Sequence, residues 1–102
     1  MSKHIASVEE FDEAINSGKK VLVDFNATWC APCKMLSPII DKFADEHPEV
    51  TVLKVDTDEF PGLAKRYDVY SIPNLCLFEG GKLSKQQAGF IPEPALKAFV
   101  GE

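Results

Sequence analysis

Residues 21–34, VLVDFNATWCAPCK, carry the most informative pattern in the chain. The run VLVDF (21–25) is short, β-branched and apolar on both faces apart from Asp24, as a central strand covered by helices on each side requires. Directly after it come Cys30 and Cys33, three positions apart around Pro32. Two thiols at this spacing can hold a metal, close a structural disulfide or pass electrons, and the remainder of the chain has to choose among these uses.

On the C-terminal side of this stretch, Met35, Leu36, Ile39, Ile40 and Phe43 trace one helical stripe, which predicts a helix from Ala31 to Glu46, ended by His47-Pro48 and kinked at Pro38. VTVLKV (50–55) follows as a second strand, so strand, helix and strand form a βαβ unit with parallel strands. Upstream, Ser7 and Glu10 have the form of a capping box. Val8, Phe11, Ala14 and Ile15 then recur at helical spacing until Gly18 offers a C-terminal cap. Downstream, a short helix carries Leu63, Ala64 and Tyr67, and SIPN leads into the strand LCLF (75–78). EGGK (79–82) reads as a hairpin turn, with an antiparallel strand over Leu83–Ala88 behind it. A last helix spans Glu93–Val100, its first turn marked by Pro92 and Pro94. Residue by residue, the pattern is a βαβ half joined to a ββα half around one mixed sheet, without internal repeat or linker. One domain over residues 1–102 is the expectation.

Composition removes several function classes. The net charge is −5, with acidic and basic residues interspersed, and such a surface repels phosphate backbones and anionic lipid. Neither nucleic acid nor a membrane is an expected partner. No window approaches the roughly 20 apolar residues that span a bilayer, and the first residues lack a signal-peptide pattern. The compartment expected is therefore cytoplasmic, where stable structural disulfides are rare and a CxxC pair is catalytic or metal-binding. A structural zinc site wants about four ligands. Beyond the pair only Cys76, His4 and His47 could supply them, none at ligand spacing, and Cys76 sits mid-strand as an inert core thiol. No metal is expected.

Cys30 and Cys33 straddle the point where strand gives way to helix. At i and i+3 on a first turn the two side chains share a face, near enough for the sulfurs to bond. The four unpaired N–H groups of a helix start favour the thiolate of whichever cysteine sits first. By position Cys30 is the nucleophile and Cys33, one turn in and less exposed, the resolving thiol. Pro32 shapes the first turn without losing a hydrogen bond. A cation between the cysteines would stabilise the reduced thiolate and make the pair an oxidant; Ala31-Pro32 carries none, which points to a reductant.

At separated places in the right order, the chain resembles the thioredoxin family: VDFNATWCAPCK resembles its active-site signature, SIPN its cis-proline loop, and VDTDEFPGLAKRYDVYSIP the segment that joins them. The resemblance implies an α/β thioredoxin fold, a central mixed β-sheet built as a βαβαβ half followed by a ββα half, with helices on both faces. It implies a protein disulfide reductase that works by thiol-disulfide exchange through a redox-active Cys30–Cys33 disulfide and binds no cofactor. NADPH would be used only indirectly, through thioredoxin reductase, and the other partners would be disulfide-containing proteins. A monomer is expected.

Site roles carry over position by position. Cys30 corresponds to the attacking cysteine and Cys33 to the resolving one. Trp29 corresponds to the substrate-contacting tryptophan, compatible with a plainer part as a large apolar cap on the core. Asp24 occupies the place of the buried aspartate that moves a proton to and from Cys33; burial would raise its pKa and suit it to act as a base near neutral pH. From the residues alone an exposed, hydrogen-bonded strand-end Asp24 is equally acceptable. Pro73 matches the cis-proline beside the disulfide, which leaves the Ile72 backbone free to pair with an extended substrate. Gly89 matches a glycine that permits close backbone approach, though a loop glycine would look the same. Ala31 and Pro32 complete the substrate-facing surface.

Four positions depart from the common pattern: Ala31 for glycine, Asn26 for an aromatic, Asn74 for threonine, and Val52 where some members carry a lysine near the buried aspartate. The last implies an Asp24 without its cation. Two rival functions remain at this point: an oxidase or isomerase of the same fold, and a binding module in which the surface around Trp29, Ile72 and Pro73 docks a partner and the thiols are incidental.

Overall fold

Side chains alternate along a strand, so Val21, Val23 and Phe25 face one side of the sheet while Leu22 and Asp24 face the other. The computed structural model, which describes residues 1–102, builds two cores on this parity. Its elements in chain order are β1 (Ser2–His4), α1 (Val8–Ile15), β2 (Val21–Asn26), α2 (Ala31–Glu46), β3 (Thr51–Asp56), α3 (Pro61–Arg66), β4 (Asn74–Glu79), β5 (Lys82–Ala88) and α4 (Glu93–Val100). The strands lie in the order β1-β3-β2-β4-β5, parallel from β1 through β3 to β2 and antiparallel from β2 through β4 to β5. This is the mixed sheet of the thioredoxin fold.

One core joins Phe11 and Ile15 of α1 and Leu63 of α3 to Val21, Val23, Phe25, Leu53, Val55, Cys76 and Phe78 of the strands. The opposite core joins Leu36, Ile40 and Phe43 of α2 and Leu96 and Val100 of α4 to Leu22, Val52, Leu75 and Leu77. Helices therefore cover both faces, and each large apolar side chain fully buried between layers stabilises by about 1.5–3 kcal/mol relative to exposure. Asp24 and Lys54 share the parity of Leu22 and Val52. They interrupt the α2-side core at one end, and that gap becomes the site.

Local chemistry accounts for the element boundaries. Ser7 caps α1, its Oγ accepting the Glu10 N–H at 3.1 Å, and the Glu10 carboxylate accepts the Ala6 N–H at 2.7 Å. The helix stops at Ile15 with Asn16 as its cap, earlier than Gly18, because the Asn16 side chain donates back to the Asp12 carbonyl at 2.8 Å. The β4–β5 turn has positive φ at both Gly80 and Gly81, as a tight turn between twisted antiparallel strands needs. Strand β1 is the element that the pattern of residues 1–6 does not mark. It has three residues, two of them charged or titratable, and it exists because it pairs with the edge of β3, Ser2 to Val52 and His4 to Lys54. α2 runs unbroken through Pro38.

Candidate active site at the start of the second helix

Cys30 caps α2. Its Sγ accepts the backbone N–H of Cys33 at 3.2 Å, which satisfies one of the orphan donors of the helix start. The two sulfurs are joined in a disulfide, with Cα atoms 5.2 Å apart. Together with Ala27, and with Ile72 packed against them, the two cysteines form a small core of their own. Both are 4% exposed, so burial does not rank them as the sequence reading supposed. They differ in surroundings: Sγ of Cys30 lies 3.8 Å from the Ile72 carbonyl, whereas Cys33 lines a cavity that opens to solvent.

Trp29, Ala31 and Pro32 are exposed beside the disulfide. Trp29, 69% exposed, is held by its indole N–H, which donates to Asp58 at 2.8 Å. The Ile72–Pro73 peptide bond is cis and Pro73 is buried. The Ile72 N–H and C=O make no hydrogen bond to other backbone groups. Gly89 donates its N–H to the Pro73 carbonyl at 2.8 Å. Its φ is +88° and nothing within the chain lies within 4 Å of where a Cβ would stand, so the glycine answers a backbone conformation and not a close approach inside this chain.

Behind the disulfide, His4, Asp24, Cys33, Lys34, Ser37 and Lys54 are among the residues lining a cavity of about 240 Å³. Asp24 is 2% exposed, which removes the strand-end alternative, and its Oδ1 has no hydrogen-bond partner. Burial pushes its carboxyl up to about 7; the Lys54 charge pulls it back and the Asp41 charge adds to the rise. Burial alone likewise pushes the Cys76 thiol up to about 12 and leaves it inert at neutral pH.

The inference of a missing cation is overturned. Val52 belongs to the α2-side core, and the lysine stands two residues on: Asp24 and Lys54 are register partners across β2 and β3, and Lys54 is 5% exposed. Sequence reasoning passed over Lys54, and with it Ser37 and Asp41 of α2. A signal was available, since Lys54 is the one charge in the interior of its strand and its fourth residue, just as Asp24 is in its own.

Comparisons with known proteins agree with this geometry. The family model described as Thioredoxin matches residues 2–102. The chain is 47% identical over 98 residues to a thioredoxin of Chlamydia trachomatis, covering 96% of this chain and 95% of the other. It is 41% identical over 100 residues to thioredoxin-1 of Saccharomyces cerevisiae, covering 98% and 97%. Among solved structures, a mutant thioredoxin from Halobacterium salinarum superposes with a TM-score of 0.91 at 34% identity, covering 97% of this chain and 87% of that one.

Proposed function

We propose that this chain, which belongs to the thioredoxin family and is a protein disulfide reductase of thioredoxin type, reduces its substrates with Cys30 as the attacking thiol and Cys33 as the resolving one. The observation that carries this division of labour is the hydrogen bond from the Cys33 amide to Sγ of Cys30. A first-turn N–H aimed at that sulfur favours its negative form, and no such donor serves Sγ of Cys33.

The Cys30 thiolate attacks one sulfur of a substrate disulfide. That S–S bond breaks, a mixed disulfide forms through Cys30, and the first substrate sulfur leaves as a thiolate that takes up a proton from water. Cys33 passes its thiol proton to the Asp24 carboxylate and attacks Sγ of Cys30, expelling the second substrate sulfur. Two electrons move from dithiol to substrate, leaving the Cys30–Cys33 disulfide. A carboxyl that titrates near 7 is divided between its two forms at neutral pH, and so can take a proton in this direction and return it in the other. It shares the cavity with Cys33, which supports a transfer across that space.

The unpaired Ile72 backbone supports strand-to-strand pairing with an extended substrate segment, and exposed Trp29, Ala31 and Pro32 supply the surrounding contact surface. Pro73 and Gly89, linked by their backbone hydrogen bond, hold the loop that presents Ile72. A reductase partner restores the dithiol. We assign this to a thioredoxin reductase drawing on NADPH, in the cytoplasm, with residues 1–102 acting as one domain and one monomer. No helix is long and apolar enough to cross a membrane.

The test uses single serine variants and a protein disulfide substrate, read by mass spectrometry. Cys33→Ser should accumulate a mixed disulfide through Cys30, and Cys30→Ser should neither turn over nor trap substrate. Turnover retained by Cys30→Ser would overturn the assignment.

A further inference from the structure

The buried cation of the cavity is turned away from the buried acid. Lys54 donates to Ser37 Oγ at 2.6 Å and pairs with Asp41 Oδ1 at 2.8 Å, both on α2. No ion pair joins it to Asp24, its own partner across the sheet, although Asp24 Oδ1 lacks any hydrogen-bond partner. An ammonium and a carboxylate this deeply buried on one cavity wall would ordinarily be drawn together, because an unpaired buried charge costs far more than a paired one. Something must hold Lys54 off, and only two anchors are in place to do so.

We propose that Asp41 is a positioning residue: with Ser37 it tethers the Lys54 ammonium to the α2 side of the cavity and so withholds from Asp24 the cation that would fix it as an anion. Asp41 is itself braced. Its Oδ1 also accepts from Ser2 Oγ on β1 at 2.5 Å, and while partial burial opposes ionisation, the hydrogen bonds from Lys54 and Ser2 outweigh it and hold the carboxyl below its usual range. Asp41 therefore stays anionic at neutral pH, which a permanent tether requires.

The other groups around Asp24 do not replace this arrangement. From β1 comes His4, an exposed residue; from α2 come Cys33, Lys34 and Asp41; from β3 comes Lys54; and β4 opposes Asp24 with apolar Leu75. With Lys54 anchored elsewhere, burial dominates and the Asp24 proton stays on up to neutral pH. This gives the edge strand a chemical consequence: Ser2 braces Asp41, Asp41 holds Lys54, and Lys54 is kept from Asp24. The inference builds on the proposed part of Asp24 in the exchange, but the tether itself is measurable without it.

The decisive measurement is the pH titration of the Asp24 side-chain carboxyl by carbon-13 NMR in the oxidised protein. In Asp41→Asn the freed ammonium turns to Asp24, and the midpoint falls by about one pH unit or more. Removing the Asp41 charge would lower the midpoint by itself, so the same substitution is repeated in a Lys54→Met background, where the fall should shrink to less than half. Asp41→Glu, which keeps the anion, should restore the parent midpoint. Should Asp41→Asn unfold before it can be titrated, Ser37→Ala, which changes no charge, is read in the same way. A midpoint that does not move, or that falls equally with and without Lys54, overturns the tether. If instead the pH profile of the resolving step is the same in Asp24→Asn as in the parent, the proton-transfer part of Asp24 fails while the NMR result on Asp41 still stands.

Discussion

The amide of Cys33 donates to the sulfur of Cys30 across 3.2 Å, so the residue proposed to resolve the exchange also supplies, through its backbone, a donor to the sulfur proposed to begin it. Because the donor is a backbone group, Cys33→Ser keeps it. At pH 6 Cys30 in that variant should alkylate with iodoacetamide about five-fold faster than a cysteine in an unstructured peptide, the larger thiolate fraction outweighing the lower intrinsic nucleophilicity. Equal rates would show that the helix start does not activate Cys30.

Asp24 makes stability depend on pH in an uncommon direction for a carboxyl. Its folded value is raised from 3.8 to about 7, so the folded chain binds this proton more tightly than the unfolded chain. Its contribution is fully present below about pH 4, declines as pH rises, and is lost once pH passes about 7. Asp24→Asn should therefore be more stable than the parent at pH 8, by up to about 4 kcal/mol, with the gain vanishing near pH 4. Urea unfolding at both pH values checks this, and a gain independent of pH would contradict it.

The residues between the cysteines carry no charge at the exposed mouth of α2. The parent should have a reduction potential below the cytosolic glutathione range of about −220 to −260 mV. Ala31→His should raise it by about 30 mV or more, since a cation there stabilises the reduced thiolate. Thiol trapping across a dithiothreitol redox series measures both. A parent value well above that range would mean an oxidising pair.

Phe11 anchors the core opposite the site. It is fully buried, with its ring centroid 5.8 Å from Tyr67 and 5.9 Å from Phe78, edge-on to the latter. Phe11→Ala should cost about 3–5 kcal/mol in urea unfolding. A loss under 1 kcal/mol would mean that α1 collapses into the space.

Local signals along the chain were enough to read every element but β1, and its reaction. Short, β-branched apolar runs place the central strands, a hydrophobic period of about 3.6 places the helices, turn chemistry places the hairpin, and a CxxC at a strand-to-helix junction selects dithiol exchange, because each of these signals lies within a few neighbouring residues. Strand β1 escaped because three residues, two of them exposed, carry too little pattern, and it forms only against the edge of β3.

The wiring behind the disulfide came from packing alone. Asp24 and Lys54 are 30 positions apart, and whether Val52 or Lys54 meets Asp24 depends on strand register, which no local pattern states. A shift of one residue would reverse the face on which each side chain lies; the two-residue difference between Val52 and Lys54 keeps the face and changes the partner. Ser37 and Asp41 lie one helical turn apart on α2, where the sequence shows two ordinary polar residues. They acquire meaning when the helix lies over β3, because hydrogen bonds and charge interactions act across space between groups that only the packed layers bring together.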